Sequence, residues 1–89
     1  MISDKDKKII IDLAKKYNVK RIILFGSGSK ESGENRDIDL AVEGILEKLF
    51  FKFYSELIFN LSKPVDLVDL GKKSKFTEII TMEGTLLYG

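Results

Sequence analysis

The chain has 89 residues, short for a globular domain, so residues 1–89 are read as one domain with a thin core. Lys and Arg number 15 against 14 Asp and Glu, a formal charge of +1, which speaks against a broad electrostatic grip on nucleic acid though not against a local basic patch. With no cysteine and no histidine, disulfides, zinc sites, thiol nucleophiles and an imidazole base are all excluded.

Ser3 followed by Asp6 has the form of a helix N-cap with an acidic partner. Ile9, Ile10, Leu13, Ala14 and Tyr17 then recur at helical spacing, with lysines on the other face, and Asn18 ends the helix. Lys20 to Phe25 reads as a short buried strand. Gly26 to Arg36, with three of the seven glycines and mostly polar residues besides, reads as a loop, with room for one helical turn at its start. Asp37 to Val42 begins by alternating acidic and apolar residues, which suits a strand with one wet face.

Gly44 breaks that strand, and Ile45 to Asn60 is the strongest helix pattern in the chain. Leu46, Leu49, Phe50, Phe53 and Leu57 form its main stripe. Phe51, Tyr54 and Ile58 form a second, and a helix apolar over so much of its circumference is buried on several sides. The favoured reading is that a partner chain covers the second stripe. Interrupted by Glu47, Lys48, Lys52 and Glu56, the segment does not read as a membrane span, and the polar N-terminus lacks a signal-peptide core. A soluble, cytoplasmic protein is expected. Val65 to Leu70 is a third strand, a short helix is expected around Phe76 to Glu83, and Leu86 to Tyr88 adds an edge strand. The order implies an α/β sandwich with a small mixed sheet.

The chemistry concentrates between Leu24 and Leu40. Residues two apart on a strand face one side, so Asp37 and Asp39 present their carboxylates together. Such a pair repels itself unless a cation neutralises it, and Mg²⁺, singly or as two ions, suits oxygen ligands while keeping positions open for phosphate. Gly26 after a buried strand lets a ligand approach the backbone closely, and the Ser27 hydroxyl can donate to phosphate from the same place. Lys30 reads either as a point charge reaching a triphosphate or as an ordinary loop charge. Asp66, flanked by Val65 and Leu67, completes an acidic triad if its strand lies beside that of Asp39, and would then ligate a second metal or take a proton from an acceptor hydroxyl. Asp69 points to the opposite face and is read as solvent-facing or capping the next turn.

Apolar-Gly-Ser, a loop, acid-apolar-acid-apolar and a later third acid resemble the signature of the DNA polymerase β-type nucleotidyltransferase superfamily. The length and the ending Met82 to Gly89 resemble its minimal nucleotidyltransferase (MNT) branch. The resemblance implies a polymerase β-like fold. It also implies a metal-binding role for Asp37, Asp39 and Asp66, and nucleotide binding by Gly26, Ser27 and Lys30. The reaction implied is Mg²⁺-dependent transfer of NMP, with ATP as the expected donor, to a hydroxyl. Its departures are a loop one residue short of the common spacing, Gly28 and Glu31 within it, and Arg36 before the first acid.

Many MNT proteins are similar to antitoxins that add AMP to a HEPN-domain toxin, which implies a HEPN partner here. A non-catalytic antitoxin that blocks its partner by occlusion is the alternative, transfer to RNA a third reading, and assembly with further copies of this chain stays open.

Overall fold

The computed structural model describes residues 2–26 and 37–89. The element order is α1 (Asp4–Lys16), β1 (Arg21–Phe25), β2 (Ile38–Glu43), α2 (Phe50–Asn60), β3 (Val65–Asp69), α3 (Lys75–Glu83) and β4 (Thr85–Tyr88). α1 starts where expected because the Ser3 hydroxyl accepts the Asp6 amide at 3.1 Å, and it ends before Asn18, which takes the left-handed conformation (φ 54°) that asparagine tolerates.

The described strands form one mixed sheet in the order β3-β2-β1-β4. β1 runs antiparallel to β2 and to β4, whereas β2 and β3 are parallel, joined by a crossover that contains α2. Strand alternation sorts the side chains into two sets. Ile22, Leu24, Ile38, Leu40, Val42, Val65 and Leu67 face α1 and α2, where Ile10, Leu13, Ala14, Tyr17, Phe53 and Leu57 close the main core. Burying each large apolar side chain of this kind contributes about 1.5–3 kcal/mol. Ile23, Ala41 and Leu70 face the other way and meet Ile80 of α3 in a smaller cluster.

Polar contacts tie the two-helix layer together. The Tyr17 hydroxyl and the Lys16 ammonium both donate to Glu56, the latter at 3.0 Å, and Tyr17 packs edge-to-face on Phe53. Asp6 is almost fully buried because its carboxylate accepts from both the amide and the hydroxyl of Ser62, pinning the start of α1 to the loop before β3. Nothing local in the sequence marked that long-range pair.

One expectation needs correction. The helix predicted from Ile45 begins only at Phe50, after a single 3₁₀ turn over Glu47–Leu49. No Ser, Thr, Asp or Asn stands at the entry to cap it, and no side-chain cap bond forms, so the chain tightens into the helix instead. Leu46 consequently leaves the buried stripe and is exposed. Of the second stripe, Tyr54 is anchored by its hydroxyl, which donates to the Val65 carbonyl at 3.1 Å. Phe51 and Ile58 are exposed, as is Phe59 at 86%. Among the described residues, no helix is long and apolar enough to cross a membrane.

Candidate active site

Parallel pairing of β2 with β3 sets Asp39 directly beside Asp66, and antiparallel pairing of β1 with β2 sets Phe25 on the other side of Asp39. The three residues therefore form one row across adjacent strands, spaced at roughly 4.8 Å per strand. The row lies on the face that carries Ile23, Ala41 and α3. Because α3 covers only part of that face, Asp66 is exposed and Asp39 half-buried.

Asp37 sits at the bend immediately before β2 rather than in the strand, and is exposed. Burial first, then the negative charges of Asp66 and Asp37, then a side-chain hydrogen bond with Asp66 push the Asp39 carboxyl above its ordinary range.

Gly26 closes the third side. Its φ of +69° is a conformation that other residues adopt only with strain, and a Cβ built there would stand 2.4 Å from Asp39 Oδ2. The absence of a side chain is thus what lets the backbone after β1 press against the Asp39 carboxylate. Ser27 and Lys30, the other predicted nucleotide-binding residues, lie outside the described residues, as do Gly28, Glu31 and Arg36. Asp69 behaves as expected of a capping residue: its carboxylate accepts the Gly71 amide at 2.8 Å.

Among the described residues, no group of three acidic side chains is arranged to hold a metal by itself. The pair that is present still fits Mg²⁺, which is commonly bound by one or two carboxylates completed by water and substrate phosphate. The mutual repulsion at Asp39 is what a divalent cation would relieve. A groove of about 520 Å³ lies elsewhere, lined by Arg21, Leu70, Lys73, Thr77 and neighbouring residues of α3. Its Arg21 is four residues from Phe25 along β1, roughly 13 Å away, and is committed to Glu43 at 2.5 Å. The acidic row, not this groove, carries the chemistry-bearing residues.

One further neighbour has no local mark in the sequence. Phe76, in the first turn of α3, packs edge-to-face on Phe25 with ring centroids 5.9 Å apart and remains 55% exposed. A helix was expected there, but nothing local says which strand it crosses.

The same architecture occurs in solved complexes. A toxin–antitoxin complex with AMP-PNP matches at TM-score 0.76 and 29% identity, over 93% of this chain and 73% of that one. An MntA–HepT toxin–antitoxin complex matches at 0.73 and 27%, over 98% and 73%. A tri-AMPylated Shewanella oneidensis HEPN toxin in complex with MNT antitoxin matches at 0.72 and 28%, over 94% and 70%. No curated protein matches the chain. Residues 7–89 match the family model described as Polymerase beta, Nucleotidyltransferase, and the chain belongs to that family.

Proposed function

We propose that this nucleotidyltransferase moves AMP from ATP to a hydroxyl on a HEPN-type partner protein, and so acts as the antitoxin of a toxin–antitoxin pair. The observation that carries this reading is the register that sets Asp39 beside Asp66 with the Gly26 backbone against the Asp39 carboxylate. The solved relatives support the donor and acceptor: one complex contains AMP-PNP, and another contains an AMPylated HEPN toxin.

In this reading Gly26 and Ser27 hold the triphosphate through backbone amide and hydroxyl, with Lys30 as a point charge on it. Asp37 and Asp39 would hold Mg²⁺, and Asp66, beside Asp39, would take the proton of the incoming hydroxyl. When bound, Mg²⁺ supplies neutralising charge to the phosphate oxygens. The attacking oxygen bonds to the α-phosphorus as the bond to pyrophosphate breaks, and the hydroxyl proton passes to Asp66. The apolar residues that α2 leaves exposed, Phe51, Ile58 and Phe59, are the face we assign to the partner, because the domain's own core does not use them. That same surface favours the second reading, a binding module that blocks its partner without chemistry.

Incubation of α-labelled ATP and Mg²⁺ with source-cell lysate and the purified chain tests the proposal, with an Asp37→Ala/Asp39→Ala double variant alongside. Label in one protein band with the wild type alone is the expected result. Equal labelling by both proteins, or none by either with any of the four NTPs, leaves the binding-module reading in place.

A further inference from the structure

The row of side chains on the open face runs Phe25, Asp39, Asp66, and Phe76 packs on its Phe25 end. Its two ends have different characters. Asp66 is an exposed acid on the edge strand β3, the place an acceptor hydroxyl approaches. The opposite end is aromatic, and it follows directly on the backbone that carries Gly26, so it lies on the side where the donor's phosphates are held. Phe76 stands within roughly 11 Å of the Asp39 column, at most one strand spacing plus the 5.9 Å between the rings; that is within the reach of a ribose and base when the α-phosphate is at the carboxylate.

Phe76 is also held in place. The first turn of α3 is fixed by a reciprocal cap in which the Ser74 amide donates to the Thr77 hydroxyl at 2.9 Å and the Thr77 amide donates to the Ser74 hydroxyl at 3.2 Å. Thr77 is buried, and Phe25 supports the Phe76 ring from the side. A ring fixed by a cap and by a neighbouring ring, yet more than half exposed, is a platform and not a packing residue. Bases stack on such rings because every base has a π-face.

We propose that Phe76, supported by Phe25, is the surface on which the base of the donor nucleotide stacks. This rests on the nucleotidyl-transfer reading above. Stacking of this kind is tolerant of base identity, so the ring contributes affinity for nucleotides in general and more for purines, whose rings are larger.

Equilibrium dialysis of the full chain with Mg²⁺ tests the assignment, using ATP, CTP and inorganic tripolyphosphate as probes on the wild type, Phe76→Ala and Phe76→Trp. The alanine variant is expected to bind ATP about tenfold more weakly and CTP less affected, with tripolyphosphate unchanged and ATP binding restored by tryptophan. ATP affinity unaltered in Phe76→Ala overturns the proposal, and so does a parallel loss for tripolyphosphate, which would mark general damage to the site. A raised KM for the acceptor protein with ATP binding intact would assign Phe76 to partner docking and also overturn it. Wild-type protein that binds none of the three probes sinks the transfer reading and this one together. Wild-type transfer with an indifferent Phe76→Ala removes only the stacking role.

Discussion

The two faces of the sheet are built from the same strands and do opposite things. On one, α1 and α2 cover the alternating apolar residues of β1, β2 and β3, and Ile10, Ile22, Leu40, Val42, Phe53 and Leu57 have no solvent exposure. On the other, α3 covers Ile23, Ala41 and Leu70 and touches Phe25, leaving Asp39 half-buried and Asp66 exposed. The closed face supplies the stability and the open face holds groups that work against it. A domain of this size can keep two neighbouring carboxylates only because the opposite face is fully packed.

The largest expected effect comes from breaking the closed face. Phe53→Ala removes a fully buried ring, which typically costs about 3–5 kcal/mol, a large part of the ~5–15 kcal/mol that holds a domain together. Thermal unfolding should show Tm falling by roughly 15 °C or more. An unchanged Tm would mean that the core lies elsewhere.

Gly26→Ala strikes the open face. A left-handed conformation costs a non-glycine residue about 1–2 kcal/mol, and the new methyl must displace the Asp39 carboxylate. Transfer is expected to drop by roughly 100-fold, the scale of an ångström-sized misplacement, with a smaller loss in Tm. Full activity in this variant would show that the backbone there does not set the geometry of Asp39.

Removing the charge should move Tm the other way. The Asp39 carboxyl takes up a proton more readily in the folded chain than in the unfolded one, so ionising it costs the fold stability. That cost is absent below the unfolded-chain value of about 3.9 and complete once pH has risen past the raised folded value. Asp39→Asn is therefore expected to abolish transfer while raising Tm at pH 7 by ~2–4 °C, the worth of relieving one like-charge pair. The gap should close in acid. Mg²⁺ should stabilise the wild type and not the variant.

The smallest effect belongs to the hydroxyl that stitches α1 to α2. The hydrogen bond to Glu56, then burial and the Glu56 charge, push the Tyr17 phenol up to about 12. Its contribution is present below the unfolded value of about 10 and is lost as pH rises through the folded value near 12. Tyr17→Phe should flatten the alkaline limb of a stability–pH curve between those limits, and an identical limb in both proteins would remove Tyr17 as its cause.

Much of this division was legible in the sequence, because alternation and helical spacing are local. Ile22 and Leu24 against Ile23, or Ile38 and Leu40 against Asp39, announce which side each residue takes once the strand is recognised. Asp66 joins Asp39 only if their strands are neighbours, and the β2–β3 register makes them so. What was hidden is what depends on partners distant in the chain. Asp6 looked like a capping residue and is also a buried acceptor for Ser62. Phe76 enters the sequence reading only as the start of a short helix, and it lies against Phe25. The start of α2 is hidden because an uncapped entry has no sequence mark, only the lack of one.

The parallel register between β2 and β3 also acts as an error check. Sliding β3 by one residue would turn Asp66 into the core and send Val65 and Leu67 out to water, forfeiting on the order of 3–6 kcal/mol of burial before the charge is counted. Nothing near the carboxylates needs to enforce their alignment. A one-residue slip that would part Asp39 from Asp66 is therefore opposed by the core on the other face of the sheet.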